Sequence, residues 1–121
     1  MNPLESPNSR LLLSLLDATA QRARVIAGNV ANQNTPGYRR QVLAFEDRLR
    51  EALARGRSVD ELAHMTPEVG EDTLTPARAD GNNVNLELEM SAMRENRLLY
   101  EMYSTLHASR ANLITAALES R

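Results

Sequence analysis

The sequence predicts an all-α fold of two long terminal helices packed as a coiled coil and joined by a turn, short helices and a flexible middle loop. Three observations carry this. Leu12, Leu16, Thr19, Ala23, Ile26 and Val30 are spaced 4, 3, 4, 3, 4, an average period of 3.5 that is the coiled-coil repeat. From Val84 to about Leu118 there is neither Pro nor Gly, while residues 66–83 are rich in Thr, Pro, Gly, Asn and Asp. With 121 residues there is room for one domain, residues 1–121, and not for two with separate cores.

Taken in order, residues 1–9 read as a mobile N-terminus and residues 10–34 as the N-terminal helix. Leu11, Leu15, Ala18 and Val25 widen its apolar stripe, and Asp17, Gln21, Arg22 and Arg24 lie largely off it. Ala20, Ala23, Ala27 and Ala31 are small enough for a neighbouring helix to approach closely. Gly28 within the helix costs about 1 kcal/mol relative to Ala and marks a kink or close contact. Pro36 disfavours helix at Thr35, and Thr35-Pro36-Gly37-Tyr38 fits a type II turn with Gly37 at the positive-φ position.

Residues 35–83 follow as turn, short helices and flexible loop. Phe45, Leu49, Ala52 and Leu53 recur at helical spacing, and Ser58-Val59-Asp60-Glu61 has the form of a capping box. The loop, residues 66–83, carries too few large apolar side chains to offset its ordering entropy unaided. Residues 84–118 form the C-terminal helix, with Leu99, Tyr103, Leu106, Arg110, Leu113 and Ala117 again stepping 4, 3, 4, 3, 4 after Met90 and Met93. Arg110, the polar interruption, suits a register-setting role.

Composition narrows function. Leu, Ile, Val and Phe together are 27 of 121 residues, so a lone monomer is marginal. The net charge is -2, and all 14 cations are Arg. With four aromatics in the chain, there is no base-stacking platform and no basic field for nucleic acid. The absence of Cys removes disulfides, thiolate zinc sites and cysteine nucleophiles. The Leu11–Leu16 run is too short for a membrane span and poorly placed for a cleaved signal peptide. Asp60, Glu61 and His64 share a helical face in metal-ligand spacing, but a solvated face accounts for them better, and Asp80–Asn85 lacks the Gly and the fifth ligand of a calcium loop. No catalytic motif appears; the expectation is a non-enzyme with no catalytic residue, no cofactor and no metal. Residues 22–57 carry a local +5 and residues 58–89 a local -7, an asymmetry that suits head-to-tail attraction between subunits.

The segment from Val25 to Tyr38, with Asn29, Asn32, Asn34, Thr35, Pro36, Gly37 and Tyr38, closely resembles the N-terminal signature of the bacterial flagellar axial family of rod, hook and hook-associated proteins. Asp80-Gly81-Asn82-Asn83-Val84, Glu87, Glu89-Met90, Asn96 and Tyr100 bring it nearest to the proximal rod members. The family often carries Asn at the position of Gly28. The resemblance implies a structural subunit of the proximal rod that transmits torque from the MS ring to the distal rod. It would be exported through the flagellar type III apparatus without a cleaved signal peptide and reside in the periplasmic part of the basal body. Implied partners are itself, other proximal rod proteins, the rod-base adaptor FliE, the MS-ring protein and the export apparatus, with no nucleic acid and no direct membrane span. Leu12, Leu16, Ala23, Ile26, Val30, Met93, Leu99, Tyr103, Leu106 and Leu113 are then the expected coiled-coil and subunit-interface residues. The alternative is a cytoplasmic helical adaptor or export chaperone.

Overall fold

The computed structural model describes residues 6–119. The expected mobile N-terminus falls in part on residues 1–5, which lie outside the described residues. The chain runs α1 (Pro7–Ala31), β1 (Gln41–Leu43), α2 (Phe45–Ala54), α3 (Val59–Ala63), β2 (Val69–Glu71) and α4 (Leu86–Glu119). It is mostly helical.

Helix α1 starts three residues before the apolar spacing predicts. Ser6 accepts the Ser9 N–H through its side chain and Pro7 occupies the first helical turn, where its missing N–H costs nothing. It ends at Ala31 rather than Asn34, because Asn32 donates its side-chain N–H to the Gly28 carbonyl and closes the last turn. A Cβ at Gly28 would meet nothing within 4 Å, so the close contact expected there is absent. At the other end of the chain, Asn85 accepts the N–H groups of Glu87 and Leu88 and opens α4.

The compact apolar core lies between α1 and the middle of the chain. Ala18, Leu43, Phe45, Leu49 and Leu62 form it, flanked by Leu11, Leu15, Ala52 and Met65. Ser58 accepts the Glu61 N–H and starts α3, which brings Leu62 into that cluster.

The all-α expectation needs correction at the middle of the chain. β1 and β2 pair antiparallel in the register Gln41↔Glu71, Val42↔Gly70, Leu43↔Val69, and β2 lies within residues 66–83, the stretch expected to be loop. The strands bury little of β2. Ion pairs compensate, since Arg39 reaches Glu71, Arg40 reaches Asp72 and Arg48 reaches Glu68. The basic and acidic stretches are therefore paired within one chain, which corrects the reading of the charge asymmetry as a head-to-tail attraction.

Two glycines fix how the turns meet. Gly37, at φ 76°, completes the turn in which Tyr38 N–H donates to the Thr35 carbonyl, and its own N–H donates to the Asp80 carbonyl. Gly81, at φ 85°, faces it so closely that a Cβ there would lie 3.2 Å from the Gly37 Cα. Gly56 has the same φ of 85° with open space around it. Gly56→Ala should cost about 1–2 kcal/mol, the ordinary penalty for a side chain in the left-handed region. Gly81→Ala should cost measurably more, because the backbone of the opposing turn must also move. Urea unfolding of the two variants checks this, and equal losses would show that the two turns are not in contact.

Candidate functional site

Where the two turns meet the helices, the structure concentrates its buried polar groups. Helices α1 and α4 run antiparallel, as the pairings of Asn29 with Glu89, Thr19 with Asn96 and Ser6 with Arg110 require. Their shared face is polar at every seventh residue of α4, at Glu89, Asn96, Tyr103 and Arg110. Each of the four bonds across to another element.

Glu89 is fully buried. Its carboxylate accepts from Arg40 Nε at 2.7 Å and from Asn29 Nδ2 at 3.1 Å. Arg40 also donates to Asp72 at 2.7 Å, so one guanidinium serves two carboxylates. Burial opposes the charge on Arg40, yet its bonds to Glu89 and Asp72 outweigh that and raise its pKa. Asp72 is held well below the usual carboxylate range by the Thr75 hydroxyl, by Arg40 and by the N–H groups of Leu74 and Thr75.

Asn29, also fully buried, acts as a surrogate strand neighbour. It donates to the Gln41 carbonyl at 2.9 Å and accepts the Gln41 N–H at 2.8 Å, satisfying both backbone groups that open β1. Tyr38 donates its hydroxyl to the same side-chain oxygen at 3.2 Å. Asn82 donates to the carbonyls of Asn32 and Thr35, both at 2.9 Å, so it caps α1 from a segment some fifty residues on. Asn83 receives the Arg40 N–H at 2.6 Å and donates to the Asp72 carbonyl.

Two helical turns along, Arg22 donates to the Leu43 carbonyl, to Asn96 and to Glu46. Asn96 completes its set by donating to the Thr19 carbonyl at 2.9 Å. Tyr103 donates to Glu46 at 3.0 Å, and burial together with that carboxylate pushes its hydroxyl pKa up. At the far end the ladder is less complete: Arg110 donates to the Ser6 hydroxyl at 3.2 Å, but its Nε and the neighbouring His107 Nδ1 are buried without partners.

The residues expected at the helix seam divide sharply. Ile26 and Tyr103 are buried, whereas Leu12, Leu16, Ala23, Val30, Met93 and Leu99 are half-buried. Leu106 and Leu113 are exposed at 48% and 71%. Of the signature, Asn29 and Tyr38 enter the network; Asn32 and Thr35 bond to one another, and Asn34, Pro36 and Gly37 are exposed. Asp60, Glu61 and His64 do not converge: Glu61 serves the α3 cap and Arg57, and His64 Nδ1 lies 2.7 Å from the Asp60 carbonyl. No cluster of potential metal ligands occurs among the described residues. Sequence reasoning missed the roles of Arg22, Arg40, Glu89 and Asn96; the signal that marks the last two is their seven-residue spacing with Tyr103 and Arg110.

Replacing Glu89 by Gln leaves Arg40 buried beside an uncharged amide and should cost about 3–5 kcal/mol in urea unfolding. Glu87→Gln, on an exposed neighbour, should change stability by no more than about 0.5 kcal/mol. Asp72 gives a pH signature. Because its folded pKa is depressed, its contribution is complete above the unfolded value of about 3.9 and is lost as pH falls through the folded one. Asp72→Asn should therefore be less stable at neutral pH and show a shallower loss below pH of about 4 than the parent. Parallel acid limbs in the two proteins would contradict this.

Residues 12–39 match the family model of the flagella basal body rod protein. The chain is 31% identical over 103 residues to the flagellar basal body rod protein FlgB of Escherichia coli strain K12, covering 72% of this chain and 75% of that one. It is 29% identical over 110 residues to FlgB of Borrelia hermsii, covering 77% and 82%. With FlgB of Aquifex aeolicus it shares 26% identity over 109 residues, 88% of each chain. The family-model match ends at Arg39, one residue after the signature turn, and includes Asn29, Tyr38 and Arg22 of the buried network. The chain belongs to the FlgB family of flagellar basal body rod proteins.

Proposed function

We propose that the chain is a non-enzymatic building block of the proximal rod, acting as one unit over residues 1–121, whose terminal helices form a coiled-coil core with those of its neighbours. The observation that carries this is the distribution of apolar surface on α4. Nine large hydrophobic residues of that helix, from Leu86 to Leu118, are between 45% and 71% exposed. Such a surface on a single chain is unusual unless partners cover it. On this reading the polar ladder sets the register of α1 on α4 within a subunit, and Leu12, Leu16, Ala23, Val30, Met93, Leu99, Leu106 and Leu113 offer their uncovered area to other subunits.

Further parts of the proposal follow from the kinship. The partners are further copies of the chain, the other proximal rod proteins, the adaptor FliE and the MS-ring protein. Delivery is by the flagellar export apparatus, with residence in the periplasmic rod and torque passed on to the distal rod. No helix among the described residues is long and apolar enough to cross a membrane, which fits a subunit seated above a membrane ring.

Expression in a flagellated strain lacking its own FlgB tests the proposal. The chain should restore motility and co-purify with basal bodies. Ile26 is only 3% exposed, so Ile26→Asp buries an unpaired charge and should abolish incorporation while export continues. Retention of the parent protein in the cytosol, with none in basal bodies, would instead indicate an adaptor or chaperone.

A further inference from the structure

Asp80-Gly81 is the one place in the sequence where Asp or Asn precedes Gly. That pairing is chemically labile, because a following residue without Cβ lets its amide nitrogen reach the side-chain carboxyl carbon. The turn nevertheless requires both residues. Gly81 holds a φ of 85°, and a Cβ there would lie 3.2 Å from the Gly37 Cα. Asp80 Oδ1 accepts the Asn82 N–H at 3.0 Å, the bond to the main chain two residues on that Asp and Asn make with their short side chains. Asn in that place would be labile too.

The folded turn holds the reacting atoms apart. The Gly81 N–H donates to the Arg78 carbonyl at 2.9 Å, and no non-glycine residue among those described has a positive φ. Those are the marks of a type I turn over residues 78–81, which sets ψ of Asp80 at about 0°. At that angle the Gly81 nitrogen eclipses the Asp80 nitrogen, whereas closing a five-membered ring needs it to eclipse Cβ. The turn is also clamped from outside. Gly37 N–H donates to the Asp80 carbonyl and Arg78 N–H to the Asn82 carbonyl, each at 2.8 Å, and the Asn82 side chain holds the carbonyls of Asn32 and Thr35. Asp80 itself is exposed, so water has access to it.

We infer that Asp80-Gly81 is a latent isoaspartate site, closed by the fold and open whenever the segment 72–83 is released, and that its conversion bars that segment from docking again. The Gly81 nitrogen attacks Cγ of the protonated Asp80 carboxyl; an N–Cγ bond forms, and the hydroxyl leaves with the amide hydrogen as water. Water then opens the cyclic imide. Breaking the N–Cγ bond restores aspartate. Breaking the bond from the Gly81 nitrogen to the Asp80 main-chain carbonyl leaves the chain running through Cβ and Cγ, with the former carbonyl as a free carboxylate. The main chain is then one carbon longer, and the acceptor for Gly37 N–H has left it. Gly81 can no longer lie against Gly37 while Asn82 and Asn83 keep their bonds.

The full chain is held in native buffer and in urea at the same neutral pH and temperature, and isoaspartate is followed with an isoaspartyl carboxyl methyltransferase. Trypsin releases the peptide Ala79–Arg94, in which isomerisation leaves the mass unchanged and deamidation of Asn82, Asn83 or Asn85 raises it. Isoaspartate at Asp80 should form at least several-fold faster in urea, since the folded chain reacts only through local opening. Gly81→Ala should lower the rate in urea several-fold, a comparison that needs no folding of the variant. The converted chain, diluted out of urea, should unfold at lower urea than a chain passed briefly through urea. Equal rates in the two buffers, a signal in urea that Gly81→Ala leaves unchanged, or an unaltered urea midpoint for the converted chain would each overturn the inference.

Discussion

A carboxylate with no access to water has to be neutralised, and the arrangement of both turns follows from how Glu89 meets that requirement. Its partners come from three separate parts of the chain. Asn29 arrives on α1, Arg40 at the approach to β1, and Asp72, which shares the Arg40 guanidinium, just after β2. None of these elements is stable by itself: β1 and β2 are three residues each, and an isolated two-stranded pair is marginal in water. Together they are ordered, because displacing any one leaves a charged or amide group buried without its partner. The requirement is steep enough to hold short strands that burial alone does not.

The same economy extends along the helix pair. Glu89, Asn96, Tyr103 and Arg110 place a polar atom on the shared face once per heptad, so sliding α4 by one turn would break every cross-helix bond at once. An apolar seam would bury more hydrocarbon but would tolerate such slippage better. The ladder is well satisfied beside the turns and poorest beside Ser6, where Arg110 Nε and His107 Nδ1 lack partners. Opening of the helix pair therefore costs least at the end from which the α4 tail projects, since fewer buried bonds have to be broken there.

Local signals were legible where a residue's role depends on its near neighbours. The helical stretch of α1, the Ser58 capping box and the Gly37 turn are all determined within a few residues, and each has its counterpart in the structure. The buried network was not legible in the same way. Arg40 looks like any surface cation, and only the return of the chain fifty residues later brings Glu89 to it. The strand pair was missed for a related reason: Val69-Gly70-Glu71 has no apolar alternation, and its partners Arg39, Arg40 and Arg48 identify themselves only once the fold is known. Charge blocks of opposite sign told of pairing but not of whether it occurs within a chain or between chains.

Apolar burial is modest, with eight buried hydrophobic residues among the described residues and most of those beside α1, α2 and α3 rather than under α4. Helix α4 therefore depends on polar bonds for its position and leaves much of its hydrocarbon exposed. Those two features are separable in a useful way. Hydrogen-bonded pairs define a unique geometry at small net free-energy gain, whereas apolar area supplies gain with little geometric demand. A subunit that fixes its own shape by the first kind of interaction and keeps the second kind for its neighbours presents a defined surface before assembly. On the proposed reading, its binding energy is released chiefly when neighbours arrive, which favours growth at an existing end over association of free chains.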